Sequence, residues 1–393
     1  MSMQATLMKK FLNRFDGTAF DVMFETGEEF HIGTLPSKFK VVFHKPVPYK
    51  DLLKSTSLAL GEAYMNGEME IEGDLVMALD EIFKYQSKFI TDKHAMKKIL
   101  YTSVSKGNQK KEVASHYDIG NEFYKLWLDP TMSYSCAYFK EEDNTLEEAQ
   151  TNKVHYILKK LNLQAGMSLL DIGCGWGFLL IEAAKKYKVH GLGITLSKEQ
   201  CKEFKQRIAE EGLEEYLEVQ LMDYRDLKHM ERKFDRVVSV GMLEHVGREN
   251  YEQFFKSVDA VLKEKGVFLL HYISGLKEHP GDAWIKKYIF PGGVIPSLRE
   301  ILDLSADYGY YVRDVESLRQ HYVRTLLYWH DNFERNIDQI RKMFDKRFIR
   351  MWRMYLCSCA ASFNNGVVDL HQIVFTKGVN NSLPETRDYL YKD

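Results

Sequence analysis

Apolar and polar residues follow two different patterns along this chain. From residue 113 onward, short apolar runs are separated by stretches in which apolar residues recur at helical spacing. The runs predict five strands, at residues 168–172, 189–195, 217–223, 234–240 and 267–273. Strands that alternate with helices in this way form a mostly parallel sheet with helices on both faces. The pattern therefore predicts an α/β fold.

Residues 1–90 follow the other pattern, which predicts a smaller N-terminal α+β domain. Apolar and polar residues alternate at 20–24 and at 38–43, as they do in half-buried strands. Apolar residues at 52–60 and at 75–85 recur at helical spacing instead. Such a mixture of short strands and helices indicates a unit with a core of its own.

The rest of the chain divides into a connector and a large domain. Residues 91–112 form a basic linker, rich in lysine and nearly free of acidic residues. Residues 113–393 are expected to form one catalytic domain, in which about 275–355 is an inserted, mostly helical cover. A final pair of strands is predicted near 312–315 and 367–376.

Composition and charge exclude several classes of protein. The 393 residues suffice for two domains, and a net charge of −2 gives no indication of a nucleic-acid partner. We expect neither a leader peptide nor a spanning helix, because no apolar run approaches the ~20 residues that a bilayer requires. The five cysteines show no metal-site spacing, so we expect a reduced, cytoplasmic protein without a metal. Aromatic residues, at 13%, fit a large core, an apolar tunnel or a box for a cation.

A glycine-rich loop after the first predicted strand is the most specific motif of the chain. The apolar run ends at Asp171, and the segment Asp171-Ile-Gly-Cys-Gly-Trp-Gly177 follows. Glycines in this position let a ligand approach the backbone closely. The spacing G-x-G-x-G differs from the G-x-G-x-x-G of dinucleotide-binding folds. Since no acidic residue ends the second strand, ribose contacts are expected from Thr195, Ser197 and Gln200.

Further motifs lie on both sides of the loop in a fixed order along the chain. They are HYDIGNEFY from 116, MSYSCAYF from 132, MDYRD from 222, GMLEHVG from 241, LLHYI from 269, FPGG from 290 and HYVRTL from 321. With these motifs, residues 113–393 closely resemble the cyclopropane-fatty-acyl-phospholipid synthases, a family that includes the mycolic acid cyclopropane synthases. The N-terminal part is similar to the bacterial phospholipid enzymes in size and position.

The resemblance implies the fold of a class I S-adenosylmethionine-dependent methyltransferase. It also implies transfer of a methylene from S-adenosylmethionine to a cis double bond of an unsaturated acyl chain, through a carbocation. Asp223 would accept from the adenine amine, and Trp176 and Tyr224 would pack on the adenine or the sulfonium, or simply in the core. The implied donor-binding residues are Tyr134, Ser135, Asp171, Gly173, Cys174, Gly175, Trp176, Gly177, Thr195, Leu196, Ser197, Gln200, Asp223 and Tyr224.

A second group of residues is implied to hold a bicarbonate ion, which takes the proton that ring closure releases. Such a weak, small and renewable base does not trap a carbocation. The implied bicarbonate-binding residues are Cys136, Glu244, His271, Ile273 and Tyr322. Glu244 and His271 each lie at the C-terminal end of a predicted strand, where ligands bind in open α/β sheets. These residues also have structural interpretations: Glu244 as a helix-cap carboxylate, His271 as a core histidine and Tyr322 as a packed tyrosine.

Two cysteines complete the set of catalytic candidates. Cys136 is expected to contribute backbone and packing rather than a nucleophile, because the reaction requires no covalent enzyme intermediate. Cys359 aligns with a cysteine that the family has sometimes been assigned as active. Since Cys359 lies in an apolar helical segment, its residue pattern favours a buried structural thiol.

The implied substrate lies in a membrane, which requires a surface that binds the bilayer. Residues 341–353 alternate basic and large apolar side chains, typical of an interfacial helix and equally of a core helix with a charged outer face. The domain 1–90, with lipid-binding and dimerisation roles, and the linker 91–112 are the other candidates. The family implies a homodimer and peripheral association with the inner face of the membrane.

Two alternatives remain open at this point. Relatives of the family methylate fatty chains or amines without closing a ring. A protein of another class, which binds lipid surfaces on an inactive methyltransferase fold, would also have these patterns, although its motifs need not be intact. The sequence does not specify the lipid head group or the position of the double bond.

Overall fold

The strands of the protein form two sheets in a computed structural model that describes residues 3–15, 17–85 and 119–392. The strands are β1 Phe20–Met23, β2 Glu29–Ile32, β3 Lys40–Phe43, β4 Met69–Glu72, β5 Ser168–Ile172, β6 His190–Thr195, β7 Leu217–Leu221, β8 Phe234–Val240, β9 Leu262–Ser274, β10 Tyr310–Ser317 and β11 Asp369–Lys377. The basic linker 91–112 lies outside the described residues.

Helices connect these strands. The α-helices are Met3–Leu12, Tyr49–Lys54, Thr56–Met65, Leu75–Phe83, Asn121–Tyr124, Leu146–Lys160, Phe178–Tyr187, Lys198–Glu210, Tyr251–Val261, Ala283–Tyr288, Leu298–Asp307, Arg319–Arg335, Ile337–Met343, Lys346–Asn364 and Asp388–Tyr391. Short 3₁₀ helices are Tyr224–His229, Leu243–His245 and Arg248–Asn250.

The seven-stranded sheet has the order β10-β11-β9-β8-β5-β6-β7. Strands β5 to β9 are parallel, whereas β11 at one side pairs antiparallel with both β9 and the edge strand β10. The chain moves outward in one direction from β5 through β6 to β7, and in the other from β8 to β9. The order therefore reverses between β5 and β8, and the carboxyl ends of these two strands form the crevice in which α/β proteins bind ligands.

Both faces of this sheet are buried, which explains the nearly continuous apolar runs of its strands. Leu169 of β5 packs in one core cluster with the helices Leu146–Lys160, Phe178–Tyr187 and Lys198–Glu210. The neighbouring Leu170 points to the opposite cluster, which contains residues of the helix Tyr251–Val261. Alternate residues thus serve opposite cores, as predicted for an α/β fold.

The predicted strands agree closely with the observed ones. The bounds 168–172 and 234–240 are those of β5 and β8. Strand β9 begins five residues before the predicted start at 267 and continues through Ser274. In the N-terminal part, β2 was not predicted, and the expected helix at 52–60 is two helices, because Ser55 is extended and caps the second one. Its hydroxyl oxygen accepts from the Leu58 N–H.

The chain forms two compact units that differ from the predicted division into domains. The N-terminal unit comprises the described residues of 1–95 together with Gly281–Pro291 and Leu326–Val367. The large-sheet unit comprises the described residues of 96–280 with Gly292–Thr325 and Val368–Asp393. Much of the expected cover at 275–355 therefore belongs to the N-terminal unit. Contacts between residues far apart in the chain decide this division.

Particular contacts build the N-terminal unit from these distant segments. The side chain of Trp284 lies against Gly61, where a Cβ atom would stand 2.4 Å from the indole ring. Asn365 donates to the carboxylate of Asp80 at 2.7 Å. The sheet of this unit has the order β2-β1-β3-β4. Periodicity within the segment 275–355 could not reveal these partners, because they lie more than 200 residues earlier.

Three basic residues of 341–353 have partners within the N-terminal unit. Arg347 donates to Asn66 at 2.9 Å, Arg350 donates to Glu70 at 3.0 Å, and Arg353 donates to both carboxylate oxygens of Glu334. Cations that are paired in this way are less available to lipid phosphates. The contacts therefore favour the second interpretation of this segment, a packed helix with a charged outer face. Within the described residues, no helix is long and apolar enough to cross a membrane.

Candidate active site

The glycine-rich loop directly follows β5 and is held by the neighbouring strand. The N–H groups of Gly173 and Cys174 donate to the Ile194 carbonyl of β6 at 2.9 and 3.1 Å. Gly177 has a φ of +87° and begins the helix Phe178–Tyr187, and a Cβ atom there would lie 2.0 Å from the Phe204 ring. Close packing and the left-handed backbone therefore both require glycine at this position.

A cavity opens beside this loop at the crevice between β5 and β8. The structure places around it most residues that were predicted to bind the methyl donor. They are Tyr134, Ser135, Asp171, Gly173, Cys174, Gly175, Trp176, Gly177, Thr195, Leu196, Gln200 and Tyr224. The cavity is lined by backbone at the loop, where no atom lies within 4 Å of a Cβ built on Gly175. Such a cradle has room for a ligand against the main chain.

Ser197 and Asp223, the two other predicted donor-binding residues, do not line this cavity. The Ser197 hydroxyl oxygen caps the helix Lys198–Glu210 by accepting from the Gln200 N–H at 3.3 Å. The Asp223 carboxylate accepts from Arg225 three times, from the backbone N–H and from two guanidinium nitrogens, at 2.7–2.9 Å. Both side chains thus have partners within the chain, and their predicted contacts with ribose and adenine stay predictions.

Lys153 lines the same cavity and was not predicted from the sequence. Its side chain is buried, and Nζ donates to the Ser135 hydroxyl at 2.7 Å. Burial lowers the pKa of Lys153 to about 8, although Asp129 and Asp171 favour its charged form. Gln150, Lys153 and Lys160 all lie on the buried face of one helix. The signal in the sequence that could have indicated Lys153 was the presence of polar residues on the otherwise apolar face of this helix.

Asp171 is the acidic partner in this cavity. Burial raises the pKa of its carboxyl to about 7, and Lys153 opposes that shift. Its Oδ1 is buried without a hydrogen-bond partner among the described residues. His245, which also lines the cavity and was not predicted, is kept neutral because burial lowers its pKa to about 4. The cavity therefore combines one cation, one titratable carboxyl and neutral groups.

Glu244 lies at the carboxyl end of β8, in the 3₁₀ helix Leu243–His245. Its Oε1 accepts from the Ile273 N–H at 2.6 Å, and burial raises the pKa of its carboxyl to about 7. Its Oε2 is buried and has no hydrogen-bond partner in the described part of the chain. The predicted pair of Glu244 and Ile273 is thus in direct contact, and one carboxylate oxygen is left for a ligand.

His271 lies two residues before Ile273 on β9. Its imidazole is buried, and burial together with the positive charges of Lys153 and Lys160 holds its pKa well below the usual value. Its Nδ1 lies 3.1 Å from Nε2 of Gln372. Its own Nε2 is buried and unpartnered within the described residues. Two unsatisfied polar atoms, one from Glu244 and one from His271, therefore lie at the carboxyl ends of adjacent strands.

Cys136 and Tyr322 lie in segments that are in contact. The Cys136 thiol lies 3.8 Å from the Leu318 carbonyl, and the Ala137 N–H donates to the Thr325 hydroxyl at 3.0 Å. Tyr322 is buried in the helix Arg319–Arg335, one turn beyond Leu318. Burial raises the pKa of the Cys136 thiol far above its usual value, so this thiol is a poor nucleophile.

Cys359 belongs to the N-terminal unit, in the helix Lys346–Asn364. Burial raises the pKa of its thiol to about 12. A thiol of this kind is protonated at neutral pH and unreactive. Among the described residues, no group of three or more His, Cys, Asp and Glu side chains is placed to hold a metal ion.

The sheet order, the loop after β5 and the cavity at the crevice define a class I S-adenosylmethionine-dependent methyltransferase. Solved structures support this class. The cyclopropane synthase MmaA2 from Mycobacterium tuberculosis superposes with a TM-score of 0.65 at 35% identity, over 68% of this chain and 98% of that one. A mycolic acid cyclopropane synthase complexed with SAH and CTAB gives a TM-score of 0.64 at 37% identity, with the same coverage of both chains.

The chain belongs to the mycolic acid cyclopropane synthetase family, whose profile matches residues 104–373. The cyclopropane-fatty-acyl-phospholipid synthase of Escherichia coli K12 is 40% identical over 90% of this chain and 92% of its own. A protein of Pseudomonas putida named "Probable fatty acid methyltransferase" is 38% identical over 93% of this chain and 94% of its own. A second family profile, described as a domain of unknown function, matches residues 7–94. The resemblance inferred from the motifs is thus confirmed.

Proposed function

We propose that the protein transfers a methylene group from S-adenosylmethionine to the cis double bond of unsaturated acyl chains in membrane phospholipids, with bicarbonate as the base. One observation carries the proposal. Beyond the donor cavity, Glu244 Oε2 and His271 Nε2 are both buried and unsatisfied within the described residues. Native structures rarely leave such atoms without a partner, so a polar ligand between these strand ends accounts for them.

The donor cavity has the chemistry that S-adenosylmethionine requires. The bound donor supplies the methyl group as part of a sulfonium cation. The glycine loop provides backbone to the ligand, and Lys153 and Asp171 provide one charge of each sign for its amino-acid end. Gln200 and Thr195, whose side chains hydrogen-bond each other at 2.8 Å, provide polar groups for the ribose. These contacts orient the donor toward the acyl chain.

The second site has the chemistry that bicarbonate requires. Bicarbonate has one hydroxyl donor and several acceptor oxygens. The Glu244 carboxylate can accept from the hydroxyl, whereas a neutral imidazole of His271 can donate to an oxygen. Cys136 and Tyr322 lie on the segment and the helix that we expect to close the site from the other side. In this arrangement the anion removes the proton from the new methyl group, and buried surroundings exclude water from the cation.

A donor with a trideuterated methyl group tests the reaction directly. We expect ring-containing lipid with two retained deuterium atoms after incubation with vesicles of an unsaturated phospholipid, the labelled donor and bicarbonate. Three retained atoms would identify methylation without ring closure, the alternative suggested by the name of the Pseudomonas putida relative. Donor binding with no lipid product would identify a non-catalytic surface protein. The rate without added bicarbonate tests the base separately.

We further propose that the N-terminal unit brings the enzyme to the lipid and joins two chains into a homodimer. This role is consistent with peripheral association at the inner face of the membrane. Cosedimentation with anionic and neutral vesicles, compared with sedimentation velocity of the protein alone, tests both parts. Binding to neither type of vesicle, or a monomer at working concentration, would contradict the corresponding part.

The rate at a fixed concentration of bicarbonate is expected to rise as pH increases through about 7. Burial raises the pKa of Glu244 to about 7, and only the ionised carboxylate accepts from the bicarbonate hydroxyl. The nearby hydroxyls of Tyr251 and Tyr272 do not titrate in this range, because burial raises their pKa values. Asp171 has a similar pKa of about 7. The pH profile of Glu244→Gln therefore shows which carboxyl group causes the rise. If the rate of this variant still rises through about pH 7, Glu244 is not that group.

Replacing Lys153 by methionine is expected to weaken donor binding by about tenfold or more. Without the ammonium, the buried Asp171 carboxyl loses the cation that opposes its raised pKa, and it becomes neutral at pH 7. Calorimetry with the donor product measures the effect. Lys159→Met is the control, because this half-buried neighbour on the same helix does not line the donor cavity. Unchanged affinity in Lys153→Met would remove Lys153 from the donor site.

A further inference from the structure

The buried imidazole of His271 has one side-chain partner in the described residues, and it comes from an adjacent strand. Gln372 of β11 lies directly opposite His271 of β9 in the antiparallel ladder, so both side chains stand on the same face of the sheet. Gln372 Nε2 lies 3.1 Å from His271 Nδ1. Both side chains are buried. This pair was not predicted from the sequence.

Lys160 determines the orientation of the Gln372 amide. Its Nζ lies 2.9 Å from Gln372 Oε1, and an ammonium group only donates hydrogen bonds. The amide oxygen therefore faces Lys160, and the NH₂ group faces the imidazole. Lys160 is itself buried, and Glu316 at 2.5 Å and the Tyr156 ring at 4.4 Å from its ammonium hold it in place.

The amide orientation in turn determines which imidazole nitrogen is protonated. Because the Gln372 NH₂ group donates, His271 Nδ1 must accept through its lone pair. A neutral imidazole with an unprotonated Nδ1 has its proton on Nε2. Burial and the nearby cations keep His271 neutral. The unpartnered Nε2 is thus a hydrogen-bond donor and has no lone pair for a proton.

We propose that Lys160 and Gln372 are positioning residues that hold His271 as the neutral Nε2–H tautomer, which presents a donor to an anion at the strand ends. This inference rests on the proposed function, since the anion is the bicarbonate of that site. His271 then binds and orients bicarbonate, but it does not receive the proton from the acyl chain. That proton forms an O–H bond on bicarbonate as the C–H bond breaks.

Substitution of Gln372 by glutamate or methionine tests this proposal. If Gln372 sets the tautomer of His271, the glutamate variant should impair the use of bicarbonate more than the methionine variant. In Gln372→Glu, a carboxylate accepts from both Lys160 and His271 Nδ1–H, so Nε2 becomes an acceptor and repels the anion. We expect the bicarbonate concentration at half-maximal rate to rise about tenfold or more. In Gln372→Met, neither tautomer is favoured, and the rise should be smaller. Donor affinity should stay within about twofold in both variants.

NMR of protein with ¹⁵N-labelled histidine reports directly which ring nitrogen of His271 is protonated. A change of packing alone would not exchange the two signals. In the unsubstituted protein we expect the His271 signals to show a protonated Nε2 and a bare Nδ1, assigned by their loss in His271→Asn. Gln372→Glu should exchange the two shifts. Lys160→Met, with both amide orientations allowed, should give a mixture, and this variant serves if the glutamate variant does not fold.

The outcomes separate the inference from the proposed function. A protonated Nδ1 in the unsubstituted protein, or equal effects of the glutamate and methionine variants on bicarbonate use, would overturn tautomer control alone. A rate that is independent of bicarbonate in the unsubstituted protein would overturn the proposed base, whatever the tautomer of His271. Loss of donor affinity in every variant would assign these residues to the stability of the sheet.

Discussion

Replacing Glu244 by glutamine is expected to lower turnover by about 10²–10⁴-fold, while donor affinity stays within about twofold. The amide oxygen can still accept from the Ile273 N–H, as Oε1 does at 2.6 Å, so the local fold is preserved. The amide NH₂ replaces the unsatisfied Oε2, however, and a donor then faces the bicarbonate hydroxyl where an acceptor is needed. The loss should therefore affect the proton-removal step and the use of bicarbonate.

Single-turnover rates with unsaturated vesicles, together with calorimetry of the donor product, measure the two quantities separately. Glu252→Gln is the matched control, because this carboxylate is exposed and pairs with Lys256 on the helix that follows. It should have the activity of the unsubstituted protein. If turnover and donor affinity fall in parallel in Glu244→Gln, the residue supports donor binding or the fold, and its proposed role is wrong.

Substitution of Gly177 by alanine is expected to destabilise the protein by about 2–4 kcal/mol and to abolish measurable donor binding. The new Cβ atom would lie 2.0 Å from the Phe204 ring, which is fully buried and cannot move aside. Overpacking of this kind costs about 1–3 kcal/mol, and the left-handed backbone adds roughly 1 kcal/mol. Relief of the clash must displace the loop that forms the donor cradle.

Gly212→Ala separates the two costs. Gly212 has a φ of +62°, but no atom lies within 4 Å of a Cβ built on it, so this variant has the backbone cost without the clash. We expect a loss of about 1 kcal/mol and unchanged donor binding. Urea unfolding and calorimetry with the donor product compare the variants. Equal stability of the two variants would show that the contact between Gly177 and Phe204 is not required.

Local pattern was sufficient for the strands that build the donor site. Strands β5 and β8 have their predicted bounds, because each is an apolar run that ends at a glycine or an acidic residue. The loop Asp171–Gly177 and the motif around Glu244 follow these strands directly. Since ligands bind at the carboxyl ends of parallel strands, adjacency in the chain was enough to place these residues in one crevice.

The local sequence pattern could not predict contacts between residues from distant parts of the chain. Gln372 and His271 are 101 residues apart, and the antiparallel register of β11 and β9 brings them into contact. No periodicity in either segment specifies this register, because it depends on how the two strands align in the sheet.

By itself the sequence determined the α/β fold, the family and the strand ends at which the candidate site residues lie. These properties depend on hydrophobic periodicity and on motifs within about ten residues, which local backbone preferences and burial translate directly into structure. Only the tertiary structure decided that part of 275–355 joins the N-terminal unit, that Lys153 lines the cavity beside the glycine-rich loop, and that Lys160 and His271 both contact the Gln372 amide. Each of these findings depends on contacts between side chains that are far apart in the sequence, and the packing of the whole chain determines such contacts.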